Sequence, residues 1–403
     1  MSNAVEANVA DANQAPVGAS APTKRISVLC VGRSLAGGGA ERVQIELLRA
    51  LEPHLDLEVF YMNGQGPLRA LLPPQLAVRL GRISPGSGLP GRARTVLQLL
   101  WAARRHDVIF GMQDTSPIYL AVLAGRLWRK PVVGWIHNTW SFKKKVLSGV
   151  HAKLVPLLYP LVRQFAIVSR GAAKDMAREV PRLAGKLSVI YNPLREDELR
   201  ARAAEPLEAA HQTLFRDRVL LTAGRLEHVK GFDVLIEAFS RLSFDIPTRL
   251  LIVGEGSQRG ALEAQIATLK LQDRVQLLGF TINPYPYIQQ ADAFVLSSRS
   301  EGLPTVLLEA LALGTPAVAT DCPSGPFELL QGGEYGLLVP VDDPDALARA
   351  MFEVMTDREG AARRAEAGQK SAARFDPDHV SRQYLELLTR AANKETTNKE
   401  TTP

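Results

Sequence analysis

Glu301 and Glu309 enclose the stretch Glu301-Gly302-Leu303-Pro304-Thr305-Val306-Leu307-Leu308-Glu309, two carboxylates with seven residues between them. The run Ala293-Phe294-Val295-Leu296-Ser297-Ser298 before them reads as a buried strand. Ala310 to Leu313 after them reads as a helix body stopped by Gly314 and Pro316. Glu301 therefore falls on the loop where a strand hands over to a helix, with Pro304 near the first helical position and Glu309 inside the helix. The free amides of such a helix start, at the positive end of its dipole, form a seat for phosphate. A carboxylate beside that seat is not there for the phosphate itself. It suits hydroxyls of a sugar attached to it, and Glu309 is placed for another hydroxyl, such as a ribose. A solvated loop glutamate plus an ordinary helical one is the plain alternative.

A second motif lies upstream: Leu220-Leu221-Thr222-Ala223-Gly224-Arg225-Leu226-Glu227-His228-Val229-Lys230-Gly231. An apolar strand ends at Gly224, and a loop carries Arg225 and Lys230 before a helix begins at Phe232. Val234, Leu235, Ala238, Phe239 and Leu242 recur at helical spacing, so one face of that helix is core. A guanidinium that binds two oxygens at once and a point-charge ammonium on one loop suit a diphosphate. Loose basic residues on a surface loop are the alternative.

The two motifs together resemble the retaining glycosyltransferases of family 4, whose signatures are E-x7-E and G-R-L-x-x-x-K-G. The resemblance covers about residues 25–390 and implies an α/β, GT-B fold: two Rossmann-like parallel-sheet domains facing across a cleft. It implies that Arg225 and Lys230 hold a donor diphosphate, that Glu301 meets the donor sugar, and that Gly302, Leu303, Pro304, Thr305, Val306 and Glu309 bind the donor. Gly279-Phe280, at a strand exit, corresponds to the loop that meets the nucleotide base through backbone groups. His137 ends the strand Val132 to Ile136; in the family a histidine there approaches the sugar near the reacting carbon, which makes His137 a catalytic candidate with Glu301, Arg225 and Lys230. Asp321-Cys322-Pro323-Ser324-Gly325-Pro326 resembles a C-P-x-G-P loop of bacterial glycan-assembly members, departing from them at Phe327.

The rest of the chain supports these positions. Leu250 to Val253, Val275 to Phe280 and Ala317 to Thr320 read as strands, with an amphipathic run from Ser257 to Leu269 and a short helix from Tyr287 to Ala291. Strands alternating with helices mean βαβ units, a parallel sheet and ligands outside the carboxyl ends of the strands. The first half repeats the pattern: strand Ile26 to Val31, loop Gly32 to Gly39, helix Ala40 to Leu51, then strands at 107–110, 132–136, 165–168 and 187–190. Gly37-Gly38-Gly39 are consecutive and form no G-x-G-x-x-G fingerprint, but they permit close backbone approach to a ligand. By resemblance, Gly38 and Gly39 close over the donor phosphate.

At 403 residues and 46% hydrophobic composition the chain has material for two cores. The expected division is 24–193 for the acceptor-side domain, joined by a C-terminal helix at 376–392, and 194–375 for the nucleotide-sugar domain. Residues 1–23 and 393–403 read as disordered, the first without the features of a signal peptide. Two cysteines, Cys30 and Cys322, exclude a disulfide framework or zinc cluster. Asp343-Pro344-Asp345 and Asp376-Pro377-Asp378 precede helices and read as caps. No metal and no cofactor beyond the nucleotide-sugar co-substrate is expected.

Charge is uneven beneath the overall +6: residues 24–195 hold 26 Lys plus Arg against 9 Asp plus Glu, and residues 196–403 hold 22 against 31. No acidic residue lies between Asp114 and Asp175. That window holds Lys143-Lys144-Lys145 beside Trp140 and Phe142, then an apolar run interrupted by Lys153, Pro156 and Pro160. Lys143, Lys144 and Lys145 are therefore expected to contact an anionic membrane without spanning it. Solvated lysines on an internal helix are the alternative, and no nucleic-acid motif accompanies the basic half.

The expectation is a metal-independent retaining transferase moving a hexose or N-acetylhexosamine, with UDP the expected nucleotide. Its acceptor is expected to be lipid-linked saccharide or lipopolysaccharide, at the inner face of the cytoplasmic membrane. A GT-B epimerase or phosphorylase, or a non-catalytic nucleotide-binding partner protein, stays open on sequence alone.

Overall fold

The computed structural model describes residues 25–36, 39–83, 88–147, 149–243 and 245–393. The expectations for residues 1–23, for the tail after Asn393 and for Gly38 lie outside the described residues. Two wholly parallel sheets carry the chain. The first is built from β1 (Ser27–Gly32), β2 (Asp56–Tyr61), β3 (Ala77–Leu80), β4 (Val108–Gly111), β5 (Val132–Ile136), β6 (Gln164–Ile167) and β7 (Leu187–Val189), in the order β3-β2-β1-β4-β5-β6-β7. The second contains β8 (Arg218–Ala223), β9 (Thr248–Val253), β10 (Val275–Gly279), β11 (Ala293–Leu296), β12 (Ala317–Thr320) and β13 (Leu337–Val339), in the order β10-β9-β8-β11-β12-β13.

Central strands such as β4, β5, β11 and β12 are buried at every residue because helices cover both sheet faces, which is why they read as unbroken apolar runs. β2 and β3 escaped the sequence reading. β3 is a short edge strand with half its residues exposed, and β2 mixes Asp56 and Glu58 into its apolar residues.

The strand order reverses between β1 and β4 in one sheet and between β8 and β11 in the other. Crevices open at such points, outside the carboxyl ends of the strands. β1 leads into the glycine-rich loop, β8 into Arg225 and Lys230, and β11 into Glu301. The first-named candidates thus flank the two switch points.

The final helix, Pro377–Ala392, begins where Asp376 accepts from the amides of Asp378 and His379 at 3.0 Å each. Its Tyr384 ring packs 6.1 Å from Phe110 and 5.1 Å from Trp135, so this helix is bound to the first sheet. Asp343 likewise caps its helix, accepting from Ala346 N at 2.8 Å.

The two halves touch through their strand-end loops. Thr139 and Ser300 share a hydroxyl hydrogen bond of 2.9 Å, and Ser169 Oγ donates to the Gly302 carbonyl at 2.8 Å. Glu328, from the second half, accepts from the amides of Arg170 and Gly171 at 3.0 and 2.7 Å, at the start of the helix Arg170–Glu179. A carboxylate there also faces the positive end of that helix dipole.

Candidate active site

The loop after β8 turns at Gly231, whose φ is +64° and where a Cβ would stand 2.1 Å from the Ser297 carbonyl oxygen. Glycine tolerates that conformation and that approach. The turn brings Lys230 to the loop after β11, where its Nζ donates to Glu301 Oε1 at 2.6 Å. Ser298 Oγ donates to the same oxygen, also at 2.6 Å. Residues 71 positions apart thus form one shielded pair, the side chains 19% and 11% exposed. Arg225, on the same loop, is exposed and joins no ion pair among the described residues.

Arg299 locks this arrangement and was not singled out from sequence. Its guanidinium donates to both Asp233 oxygens at 2.9 and 2.7 Å, to the His228 carbonyl at 2.6 Å and to Asp342 at 2.7 Å. The loop of Lys230 and the loop of Glu301 are thereby pinned together. Its place in Ser298-Arg299-Ser300-Glu301 was the available signal.

Pro304 is the cap residue of the helix Thr305–Leu313, one position earlier than expected, and no side chain caps that start. A Cβ on Gly39, from the other half, would stand 3.0 Å from Thr305 Oγ1. The helix beginning at Gly39 therefore faces the helix beginning at Thr305 across the cleft. Gly302 is pressed closer still: a Cβ there would come 1.7 Å from the His137 carbonyl oxygen. Gly39, Arg42, Tyr285, Thr305 and Glu309 line one groove. Glu309 accepts from Tyr285 Oη at 3.3 Å, and burial pushes its carboxyl above the ordinary range against the opposing pull of Arg42. Arg42 also reaches across to donate to the Ile282 carbonyl at 2.9 Å.

His137 is buried at the end of β5 with its ring 4.3 Å from that of Trp135. Its Nε2 lies 2.8 Å from the Met112 carbonyl, which can only accept, so Nε2 carries the proton and Nδ1 offers a lone pair. Burial lowers the His137 pKa although Asp114 pulls it upward. Gly279, at φ +85°, ends β10, and its carbonyl already accepts from Gly254 N at 2.8 Å. Phe280 beyond it is 55% exposed.

One placement is corrected. Lys143, Lys144 and Lys145 do not share an outward face. In the helix Trp140–Val146 Lys143 turns inward, its Nζ donating to Asp114 Oδ2 at 2.6 Å, because Asp114 is buried and draws the nearest cation. Lys144 pairs with Glu179 at 3.3 Å, and Lys145 is exposed. Among the described residues no helix is long and apolar enough to cross a membrane, and no group of three or more His, Cys, Asp or Glu converges as metal ligands.

The family described as Glycosyltransferase Family 4 matches residues 37–198, and the one described as Glycosyl transferases group 1 matches residues 207–371. The chain is 29% identical over 374 residues to the N-acetylgalactosamine-N,N'-diacetylbacillosaminyl-diphospho-undecaprenol 4-alpha-N-acetylgalactosaminyltransferase of Campylobacter jejuni, covering 88% of this chain and 97% of that protein. It is 34% identical over 171 residues to the lipopolysaccharide core biosynthesis glycosyltransferase LpsE of Rhizobium meliloti, covering 42% of this chain and 49% of that one. Among solved structures, Anabaena HepE in complex with UDP and glucose superposes with a TM-score of 0.79 at 21% identity, over 90% of this chain and 99% of the other.

Fold and site together define a two-domain α/β enzyme of the GT-B type. The chain belongs to the group 1, family 4 glycosyltransferases, retaining enzymes of the hexosyltransferase class.

Proposed function

We propose that the protein transfers a hexose or N-acetylhexosamine, with retention, from a UDP-sugar to a hydroxyl of a lipid-linked or lipopolysaccharide-type saccharide at a membrane surface. The observation that carries this reading is the Lys230–Glu301 pair beside the uncapped start of the helix Thr305–Leu313, with Arg225 open on the same loop. Arg225, Lys230 and the helix start neutralise the departing diphosphate, and preorganised charge of this kind usually contributes more to catalysis than any other single effect. Glu301 takes the donor sugar's hydroxyls and Glu309 a ribose hydroxyl. Attack comes on the face the diphosphate leaves, and a diphosphate oxygen accepts the hydroxyl proton.

The acceptor class is supported by the named activities of the Campylobacter and Rhizobium relatives. Membrane association is supported by exposed Val146, Val150, Leu157 and Leu161 beside Lys144, Lys145 and Lys153. The purified protein is incubated with UDP- and GDP-sugars, with and without a lipid-linked saccharide extract. Acceptor-dependent consumption of one UDP-sugar is expected. Rapid release of UDP and free sugar without acceptor, or no consumption of any donor, would sink the proposal.

A further inference from the structure

The carboxyl ends of the first sheet hold a charged cluster that the donor chemistry leaves unused. Asp114, just beyond β4, is 5% exposed. All the hydrogen bonds to its carboxylate fall on one oxygen: Oδ2 accepts from Lys143 Nζ at 2.6 Å, Asn138 Nδ2 at 3.1 Å and the His137 amide at 3.4 Å. Among the described residues nothing donates to Oδ1, and Oδ1 is not one of the sealed, unpartnered polar atoms. Oδ1 therefore keeps unused acceptor capacity at the carboxyl end of the sheet.

The loop is held in an unfavourable form. Thr115 has φ +69°, a conformation that β-branched residues avoid. Its amide donates to Tyr159 Oη at 3.0 Å, and Arg33 Nη2 clasps the Asp114 carbonyl and Thr115 Oγ1 at 3.0 and 2.7 Å. Strain maintained by this many contacts is characteristic of functional loops. Position supplies the last element. His137, whose amide meets Asp114, presses its own carbonyl against Gly302 of the donor loop.

We propose that Asp114 Oδ1 accepts a hydrogen bond from an acceptor hydroxyl neighbouring the attacking one, which leaves the attacking hydroxyl's own proton free for the diphosphate, and that Lys143 is a positioning residue that orients Asp114 and keeps it ionised. This rests on the transferase reading above. In the transfer the acceptor oxygen bonds to the anomeric carbon as that carbon's bond to the diphosphate oxygen breaks. The hydroxyl proton leaves on the diphosphate, and Asp114 stays a carboxylate. Burial alone would raise the Asp114 pKa; the charge of Lys143 and the hydrogen bonds from Lys143 and Asn138 outweigh it, so the group sits below its ordinary range. Such a carboxylate is a poor base but a strong acceptor of hydrogen bonds. Arg33, His137, Tyr119 and Tyr159 are the other titratable groups facing it, with His151 behind Tyr119 and Glu41 linked through Gln113.

The test uses the full chain, its UDP-sugar and octyl N-acetylgalactosaminide as acceptor. Asp114→Asn is expected to lower kcat/KM for the acceptor about 10- to 100-fold, the range for a hydrogen bond to a charged group. UDP affinity by calorimetry should be unchanged, while the melting temperature falls, because the Lys143 ammonium loses its buried partner. Lys143→Gln removes a cation that lowers the Asp114 pKa. An ionised carboxylate is present above its pKa and lost as pH falls through it, so the acid limb of kcat/KM for the acceptor moves to higher pH, and Lys143→Arg restores it. An acceptor kcat/KM within twofold of wild type for Asp114→Asn, or an equal loss of UDP affinity, overturns the proposal. Should Asp114→Asn not fold, the Lys143→Gln profile decides, an unmoved acid limb being the overturning result. A wild type that transfers to no acceptor refutes the transferase reading instead. The site is then judged by saturation-transfer NMR with the same glycoside, where equal binding to wild type and Asp114→Asn, or none to either, overturns it.

Discussion

The two faces of the cleft reverse the charge of the halves that carry them. The acidic second half presents the cations Arg225 and Lys230, whereas the strongly basic first half places a buried carboxylate, Asp114, at its strand ends. Net charge governs long-range attraction, such as that of a basic surface to an anionic membrane. Site chemistry is set by a few groups held a hydrogen bond apart, where desolvation magnifies each interaction. The donor face also keeps its cations available: Arg225 is open, and Lys230 is held by a single carboxylate oxygen. The acceptor face consumes its nearest cation in holding Asp114.

The largest expected effects break the donor face. Lys230→Ala or Arg225→Ala should each lower turnover by about 10²-fold or more, as for other losses of a transition-state charge clamp. Glu301→Ala should abolish transfer while leaving UDP affinity near wild type, because its assigned partner is the sugar. Turnover and UDP calorimetry on folded variants check both; a collapse of UDP binding in Glu301→Ala would make Glu301 a support for Lys230 and Ser298 instead.

The sequence was most readable where one short segment carries both the chemistry and its element. β8, β11 and their following loops were placed within a few residues, because apolar runs bounded by Gly and Pro mark buried strands and helix starts. What stayed hidden depends on contacts between distant segments. Arg299 is an ordinary arginine until the helix start carrying Asp233 folds beside it, and Asp114 is unremarked until Lys143 turns toward it. The lysine triplet misled for the same reason: three adjacent helical residues point in directions about 100° apart, and composition does not say which meets a buried partner.

A smaller effect belongs to the outer surface of the basic half. With Lys143 turned inward, Lys144 and Lys145 remain, each about 1 kcal/mol near an anionic leaflet. Glu179 already offsets part of the charge of Lys144. Changing both to Ser should lower partitioning onto phosphatidylserine vesicles roughly 10- to 30-fold, and high salt should release the wild type. Co-sedimentation measures this; equal binding to neutral and anionic vesicles removes the electrostatic contribution. Lys143→Ser, by contrast, should act on transfer to a soluble acceptor.

Gly302→Ala sharpens the comparison where the faces meet. A Cβ 1.7 Å from the His137 carbonyl oxygen forces the donor loop away from β5. Turnover should fall about tenfold or more, since small misplacements at a reacting centre are costly. The melting temperature should fall as well, because displacing the loop disturbs the buried hydrogen bonds from Ser169 and Ser324 to the Gly302 carbonyl and the core residue Leu303. A variant with wild-type turnover would show that this close approach is not needed in the reaction.

The smallest effect concerns how the first half is completed. Asp376 caps the helix Pro377–Ala392 by accepting from two amides at 3.0 Å, and the helix then carries Tyr384 to Phe110 and Trp135, on the strands that end beside Asp114 and His137. Removing a cap costs about 1 kcal/mol, roughly fivefold in a folding equilibrium, whereas emptying the Tyr384 site would cost several times more. Asp376→Ala should therefore lower the melting temperature of the first half by a few degrees, and Asp376→Asn, which also accepts from amides, should lose less. Turnover at 25 °C should stay near wild type, because the ring contacts, not the cap, hold the helix against the strands. A large loss of turnover with an unchanged melting curve would mean that the start of this helix takes part in moving the two faces, and that the acceptor face is not the fixed partner in the comparison.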